Sequence, residues 1–280
     1  MSDDKIYDAE FAESEDRLET YADFVAIVKQ LRRDCPWDRE QTHASIKHLL
    51  IEEAYEVVEA IEEEDWDELK KELGDIFMHV LFHSNIAEER GAFTLHDVIE
   101  AEMDKMVRRH PHVFGDGAAD DPDAVKASWE EIKMQEREEA DDASESVLDG
   151  VPAHLPALLR AYRVQEKAAG VGFDFEESED AWAKVEEELG EFRETIDEDA
   201  SANAREAELG DVLFALVNYA RFVEVNPENA LRGTIDTFIE RFQHIEARLA
   251  ASDRTINEVD LDEANVLWEE AKGARESEST

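Results

Sequence analysis

The stretch Ile46–Ile61, "IKHLLIEEAYEVVEAI", decides the fold. Ile46, Leu50, Ala54, Val57, Val58 and Ile61 recur at helical spacing and form one apolar stripe. Working outward, Asp65 stands where an N-cap belongs, with Glu68 in the capping-box position. "WDELKKELGDIFMHVLFHSNIAEE" (Trp66–Glu89) then reads as a long helix, and its Ile76–Phe82 segment, apolar nearly all round, is expected deep in the core. Gly91 ends that helix as a C′ glycine. Thr94 caps the next helical pattern, which stops at Pro111. Alternating β-branched runs and Asn-Gly turns are absent, so the predicted class is all-α.

The same apolar frame returns later with the same acids. Glu52, Glu53 and Glu56 form E-E-x-x-E, followed by Glu72 and Asp75 within "ELGDIF". Glu187, Glu188 and Glu191 form a second E-E-x-x-E, followed by Glu208 and Asp211 within "ELGDVLF". Arg109 and "WEEIK" (Trp129, Lys133) follow the first set; Arg241 and "WEEAK" (Trp268, Lys272) follow the second. About a quarter of the 280 residues are acidic, so one such pattern is unremarkable. Its recurrence in order, inside a matching apolar frame, predicts a duplicated helical unit. Gly115–Pro122 reads as a loop and Glu136–Gly150 as a linker. The expected layout is a disordered acidic N-terminus over 1–20, a first repeat over 21–135, a linker over 136–152, a second repeat over 153–273 and a tail over 274–280.

On a helix, residues three or four apart share a face. Glu53 with Glu56, and Glu72 with Asp75, therefore project together, and antiparallel packing of the two helices would bring them to one point. Unaided, such carboxylates repel and raise one another's pKa values. A hard divalent cation resolves that conflict, and Mg²⁺ takes oxygen ligands while keeping positions for substrate phosphates. Gly74 and Gly210 weaken their helices by about 1 kcal/mol each relative to Ala; close approach of another helix or a ligand would account for them. Trp268 and Lys272, one turn apart, read either as a base-stacking face beside a phosphate-neutralising cation or as a core Trp with a snorkelling Lys. For Arg241, a phosphate fork and a surface ion pair are both open. His79 and His83 have i,i+4 spacing but sit in an apolar run without further ligands, and read as core histidines rather than a zinc site. Cys35 reads as a small core or turn residue.

Charge narrows the function classes. Lys and Arg total 29 against 74 Asp and Glu, for a formal net charge of -45. That field repels nucleic-acid phosphates, so no nucleic-acid partner is expected. The acids are spread along the chain, as in a solvated halophile-like surface whose self-repulsion a salty cytoplasm would screen. The single cysteine excludes an internal disulfide framework. The N-terminal stretch lacks a basic and apolar leader, and no apolar run approaches the ~18 residues of a membrane span. A soluble cytoplasmic protein with no membrane partner is expected.

"CPWDREQTHASIKHLLIEEAYEVVEAI", "ELGDIFMHVLFHSNIAEERGAF", "RRHPHVFGD", "LPALLRAYRVQEKAAGVGFDF" and "ELGDVLFALVNYARF" closely resemble the MazG family of nucleoside triphosphate pyrophosphohydrolases. The resemblance covers roughly Phe24 to Lys272. It implies two tandem helical-bundle domains that form a homodimer through helix packing. It also implies Mg²⁺-dependent hydrolysis of (d)NTP to (d)NMP and diphosphate, with Mn²⁺ as a substitute ion. By position, Glu188, Glu191, Glu208 and Asp211 would hold metal in the second half, Glu187 would serve as substrate contact or water-orienting base, and Lys184, Arg241, Trp268 and Lys272 would hold nucleotide. In the first half the matching set is Glu53, Glu56, Glu72 and Asp75 for metal, Glu52 as base, and Arg109, Trp129 and Lys133 for nucleotide. Two departures stand out: Leu49 occupies the position of Lys184 in the first half, and Thr237 stands where the first half keeps Lys105. The resemblance places activity first in the second half. Three other readings compete: a related all-α pyrophosphatase for dUTP or phosphoribosyl-ATP, a non-enzymatic nucleotide or cation sensor, and an acidic helical interaction protein.

Overall fold

The computed structural model describes residues 13–278 except 118–120, 123, 126–127, 130–131, 134–135 and 137–145. Every regular element among the described residues is helical. The chain divides into two compact units, 1–136 and 137–280. The linker expected over 136–152 falls largely outside the described residues.

In the first unit, α1 (Glu15–Asp34), α2 (Pro36–Glu40), α3 (His43–Glu62), α4 (Trp66–Glu89), α5 (Leu95–Arg109) and α6 (Pro111–Phe114) follow one another with short connections. α1 therefore begins inside the 1–20 segment expected to be disordered. The Thr42 side chain caps α3 through Ser45 N, with Ser45 returning the bond in a capping box. Asp65 caps α4 by accepting from Asp67 N and Glu68 N. The expected reciprocal bond from Glu68 is not made, because Lys71 takes that carboxylate. Thr94 and Asp97 form the box that starts α5, and Gly91 has the left-handed φ of 68° that a C′ position requires.

The core of this unit is Val28, Ile46, Leu81, Phe82 and Ile86, flanked by Phe24, Val25, Leu49, Met78 and Leu95. α3 and α4 pack antiparallel, because His43 meets His83 while Glu53 and Glu56 meet Glu72. The Ile76–Phe82 run is buried on one side only: Leu81 and Phe82 are 1% and 6% exposed, whereas Phe77 and Val80 are 39% and 37% exposed. The α1–α2 corner is fixed by buried Arg32, which forks onto Glu89 at 2.8 Å and donates to the carbonyls of Asp38 and Gln41. Cys35, half-buried, is the N-cap of α2.

The second unit repeats the hairpin. α7 (Ala157–Ala169) and α8 (Ser178–Asp197) lead to α9 (Ala202–Phe222), α10 (Pro227–Ala250), a 3-10 turn at Ile256–Glu258 and α11 (Leu261–Glu278). α11 thus continues to Glu278, within the 274–280 tail expected to lie beyond the domain. α8 and α9 are antiparallel, with the Trp182 and Tyr219 rings 4.9 Å apart at one end and Glu188 against Glu208 further along. Val185, Val212, Val217, Ile245 and Leu249 fill the core, and buried Gln165 of α7 donates to the Phe214 carbonyl of α9 at 2.8 Å. The α3–α4 and α8–α9 connections share a left-handed residue at the same repeat position, Glu64 (φ 55°) and Asp199 (φ 51°).

Leu81→Ala removes a side chain that is 1% exposed. It is expected to lower stability by about 2–5 kcal/mol, read as a drop in the urea midpoint of the first unit.

Candidate active site

Antiparallel pairing of α3 with α4 sets Glu53, Glu56 and Glu72 so that one oxygen of each lies within 4.8 Å of the others. Pairing of α8 with α9 does the same for Glu188, Glu191 and Glu208, also within 4.8 Å. Glu72 and Glu188 are buried, each 7% exposed. Asp75 and Asp211 lie close enough to press electrostatically on the carboxylates of their own halves. Three of the four carboxylates expected in each half are thus brought together, while Asp75 and Asp211 are not part of the 4.8 Å groups.

The halves relieve the repulsion differently. In the second, Lys184 reaches Glu187 at 2.9 Å and Glu188 at 2.6 Å, which raises the lysine pKa. Glu208 is pushed above the usual carboxylate range by burial and by its acidic neighbours, with Lys184 pulling the other way. In the first half Leu49 stands at the Lys184 position and packs on the core. Without a cation, Glu72 is pushed up to about 7 by burial, then by its hydrogen bond and charge contact with Glu56. Glu53 is raised by burial and by the Asp75 and Glu56 charges. The first platform therefore has a carboxyl shifted toward its protonated form at Glu72, while the second has an ammonium at Glu188.

The residues fit a hard cation. All donors are carboxylate oxygens, the groups such ions prefer, and the buried Glu72 Oε2 has no hydrogen-bond partner. A buried carboxyl oxygen without a partner is costly, and a bound cation would meet it.

The nucleotide candidates gather separately. In the first half the Arg109 guanidinium lies 5.5 Å from the Trp129 ring centre and the Lys133 ammonium 4.7 Å from it. In the second, Arg241 lies 5.3 Å from the Trp268 ring, which also meets Phe238 at 5.2 Å. Lys272 is exposed, and Lys105 is paired with Glu102. Among the described residues, no ion pair joins Arg109 or Arg241 to a platform carboxylate. Among the described residues, no helix of the chain closely approaches Gly74 or Gly210: a Cβ at either would meet nothing within 4 Å.

Two features escaped the sequence. Glu136 clasps Arg109 and Arg108, with distances of 2.7 and 2.6 Å, and the Arg109 bond leads the effects that hold its carboxyl down at about 2. His43 meets His83 at 2.7 Å between Nδ1 atoms. His79 is buried as expected and stands 4.0 Å from Glu53. Burial lowers the pKa of both His79 and His83, keeping them neutral core groups. Only coincidence of spacing across forty residues could have flagged His43.

Duplicated helical hairpins, each converging three carboxylates beside a core, define a class of all-α proteins with paired acidic sites. The chain belongs to the MazG family: the MazG nucleotide pyrophosphohydrolase domain matches twice, over residues 41–114 and 176–246. It is 42% identical over 259 residues to the Thermotoga maritima "Nucleoside triphosphate pyrophosphohydrolase/pyrophosphatase MazG", covering 92% of this chain and 97% of that protein. It is 41% identical over 255 residues to the Escherichia coli "Nucleoside triphosphate pyrophosphohydrolase", covering 89% and 95%. It is also 44% identical over 254 residues to the Bacillus subtilis "Uncharacterized protein YabN", covering 90% of this chain and 51% of that one. The chain is accordingly an enzyme, a hydrolase acting on phosphoric anhydrides.

A carboxyl whose folded-state pKa exceeds its ordinary value stabilises the fold when protonated. For Glu72 that contribution is complete below the ordinary 4.5 and is lost as pH rises through about 7. In metal-free buffer the wild-type urea midpoint should therefore fall between about pH 5 and pH 8 by more than that of Glu72→Gln. Parallel pH profiles would show that Glu72 carries no raised pKa.

Proposed function

We propose that the chain hydrolyses nucleoside triphosphates, (d)NTP plus water to (d)NMP plus diphosphate, with Mg²⁺ held by the carboxylate platforms. The duplicated three-carboxylate cluster on antiparallel helices carries this reading. The relatives named as nucleoside triphosphate pyrophosphohydrolases support it along nearly the whole chain.

Glu188, Glu191, Glu208 and Asp211 would hold the ion in the second half, and Glu53, Glu56, Glu72 and Asp75 in the first. Bound there, Mg²⁺ would supply Lewis acidity toward phosphate oxygens and acidify a water ligand. Glu187 is 55% exposed at its side chain and adjoins buried Glu188, a place from which it can accept a proton from water or orient it. Glu52 is its exposed counterpart. Lys184 is held at the platform edge by two carboxylates. With Glu188 engaged as a metal ligand, the Lys184 ammonium would be held less tightly and could turn toward phosphate. Arg241 offers a guanidinium beside the Trp268 face, a pairing suited to a phosphate and a base. Little covalent work falls to the protein, since phosphoryl chemistry depends chiefly on positioning and charge stabilisation.

Two further proposals follow from the surface. Leu73, Phe77, Leu209, Leu213 and Phe214 are exposed beside the open glycines Gly74 and Gly210. These helix faces suit a second copy of the chain, so we assign a homodimer formed by helix packing. No helix among the described residues is long and apolar enough to cross a membrane, and we place the enzyme in the cytoplasm.

Diphosphate release from a panel of (d)NTPs, measured with Mg²⁺ at high salt, tests the proposal. Glu188→Gln is expected to lower turnover by about a hundredfold or more, and Glu53→Gln by much less. Unchanged turnover in both would remove the platform from the chemistry.

A further inference from the structure

The two halves carry the same arginine-over-tryptophan pairing but differ in what rests on the guanidinium. In the second half, Arg241 Nε is buried and has no hydrogen-bond partner, and among the described residues no carboxylate pairs with this side chain. In the first half the Arg109 guanidinium is occupied. Glu136 Oε2 accepts from Arg109 NH2 at 2.7 Å and Nε at 3.2 Å, while Oε1 accepts from Arg108 Nε at 2.6 Å. A carboxylate fork on guanidinium uses the donors that a phosphate would use. The side chains of Arg109 and Glu136 are only 19% and 20% exposed, so the pair is shielded from the screening that makes surface ion pairs weak.

Repeat register sharpens the contrast. Glu136 lies three residues beyond Lys133 of "WEEIK", and the residue three beyond Lys272 of "WEEAK" is Arg275. The first half thus carries an acid where the second carries a base. The bond to Arg109 holds the Glu136 carboxyl down at about 2, so that it is ionised at neutral pH.

We infer that Glu136 is an internal phosphate mimic that occupies the arginines of the first half and keeps nucleoside triphosphate from seating there, so that the two halves are unequal toward substrate. The inference rests on the reading that each arginine–tryptophan pair seats nucleotide. It makes the first half a metal platform with its anion seat already filled, and leaves the second half as the one that takes triphosphate.

Equilibrium dialysis of the full chain against a non-hydrolysable dNTP analogue, with Mg²⁺ at high salt, tests the idea. The wild type is expected to bind one analogue per chain. Glu136→Gln and Glu136→Ala are both expected to bind two, the new site tightening by about tenfold or more, the scale of one charge-assisted hydrogen bond. Arg109→Ala added to either should return the count to one, which a general loosening of the fold would not do. A wild type that already binds two analogues alike, or a count unchanged in both Glu136 variants, overturns the mimic. Arg241→Ala separates the underlying reading: if it leaves wild-type binding intact, arginine–tryptophan pairs do not seat nucleotide, whatever Glu136 does.

Discussion

Repulsion between carboxylates forced to one point is the constraint on which each half of this enzyme depends. Helix packing is what forces them together. Glu72 and Glu188 sit on the buried side of α4 and α8, each 7% exposed, where water does little to screen their charge. Ionised, three such groups within 4.8 Å oppose the packing that assembles them. Each half must therefore take up positive charge, from a proton, an ammonium or a metal ion. In the first, burial and the Glu56 contact raise the pKa of Glu72 toward the protonated form; in the second, the Lys184 ammonium lies 2.6 Å from Glu188.

That difference traces to one position. Leu49 strengthens the core of the first unit, and the matching Lys184 spends its length on the platform. A leucine gives the first half packing at the cost of a proton-laden site. A lysine gives the second half an ammonium 2.6 Å from Glu188, a positive charge inside the carboxylate cluster. The arginine–tryptophan pairs show the same division, with Arg109 clasped by Glu136 and Arg241 paired with no carboxylate among the described residues. Duplication supplied two copies of one hairpin, and single substitutions then set their electrostatics apart.

Much of this was legible in the sequence because helical periodicity and i,i+3 spacing are local. The stripe from Ile46, the caps at Asp65 and Thr94, and the shared face of Glu53 and Glu56 all follow from residues within a turn or two of each other, whereas Glu72 joins them only through the pairing of α3 with α4. What needed the structure was longer in range or was masked by composition. An apolar run such as Ile76–Phe82 does not say which side faces outward, and Phe77 and Val80 do. The left-handed residues are acids, Glu64 and Asp199, where a glycine would have signalled the turn. Glu136 is one acid among 74, and nothing in its neighbourhood marks it as the partner of an arginine twenty-seven residues back.

The central claim is that these oxygens are a metal platform. Titration with Mn²⁺ at high salt, followed by the electron paramagnetic resonance signal of the free ion, reads it directly on the wild type and on a Glu72→Gln, Glu208→Gln double variant. The account predicts tight uptake of Mn²⁺ by the wild type, competed by Mg²⁺, and its loss in the variant. Identical titration curves for the two proteins would contradict it.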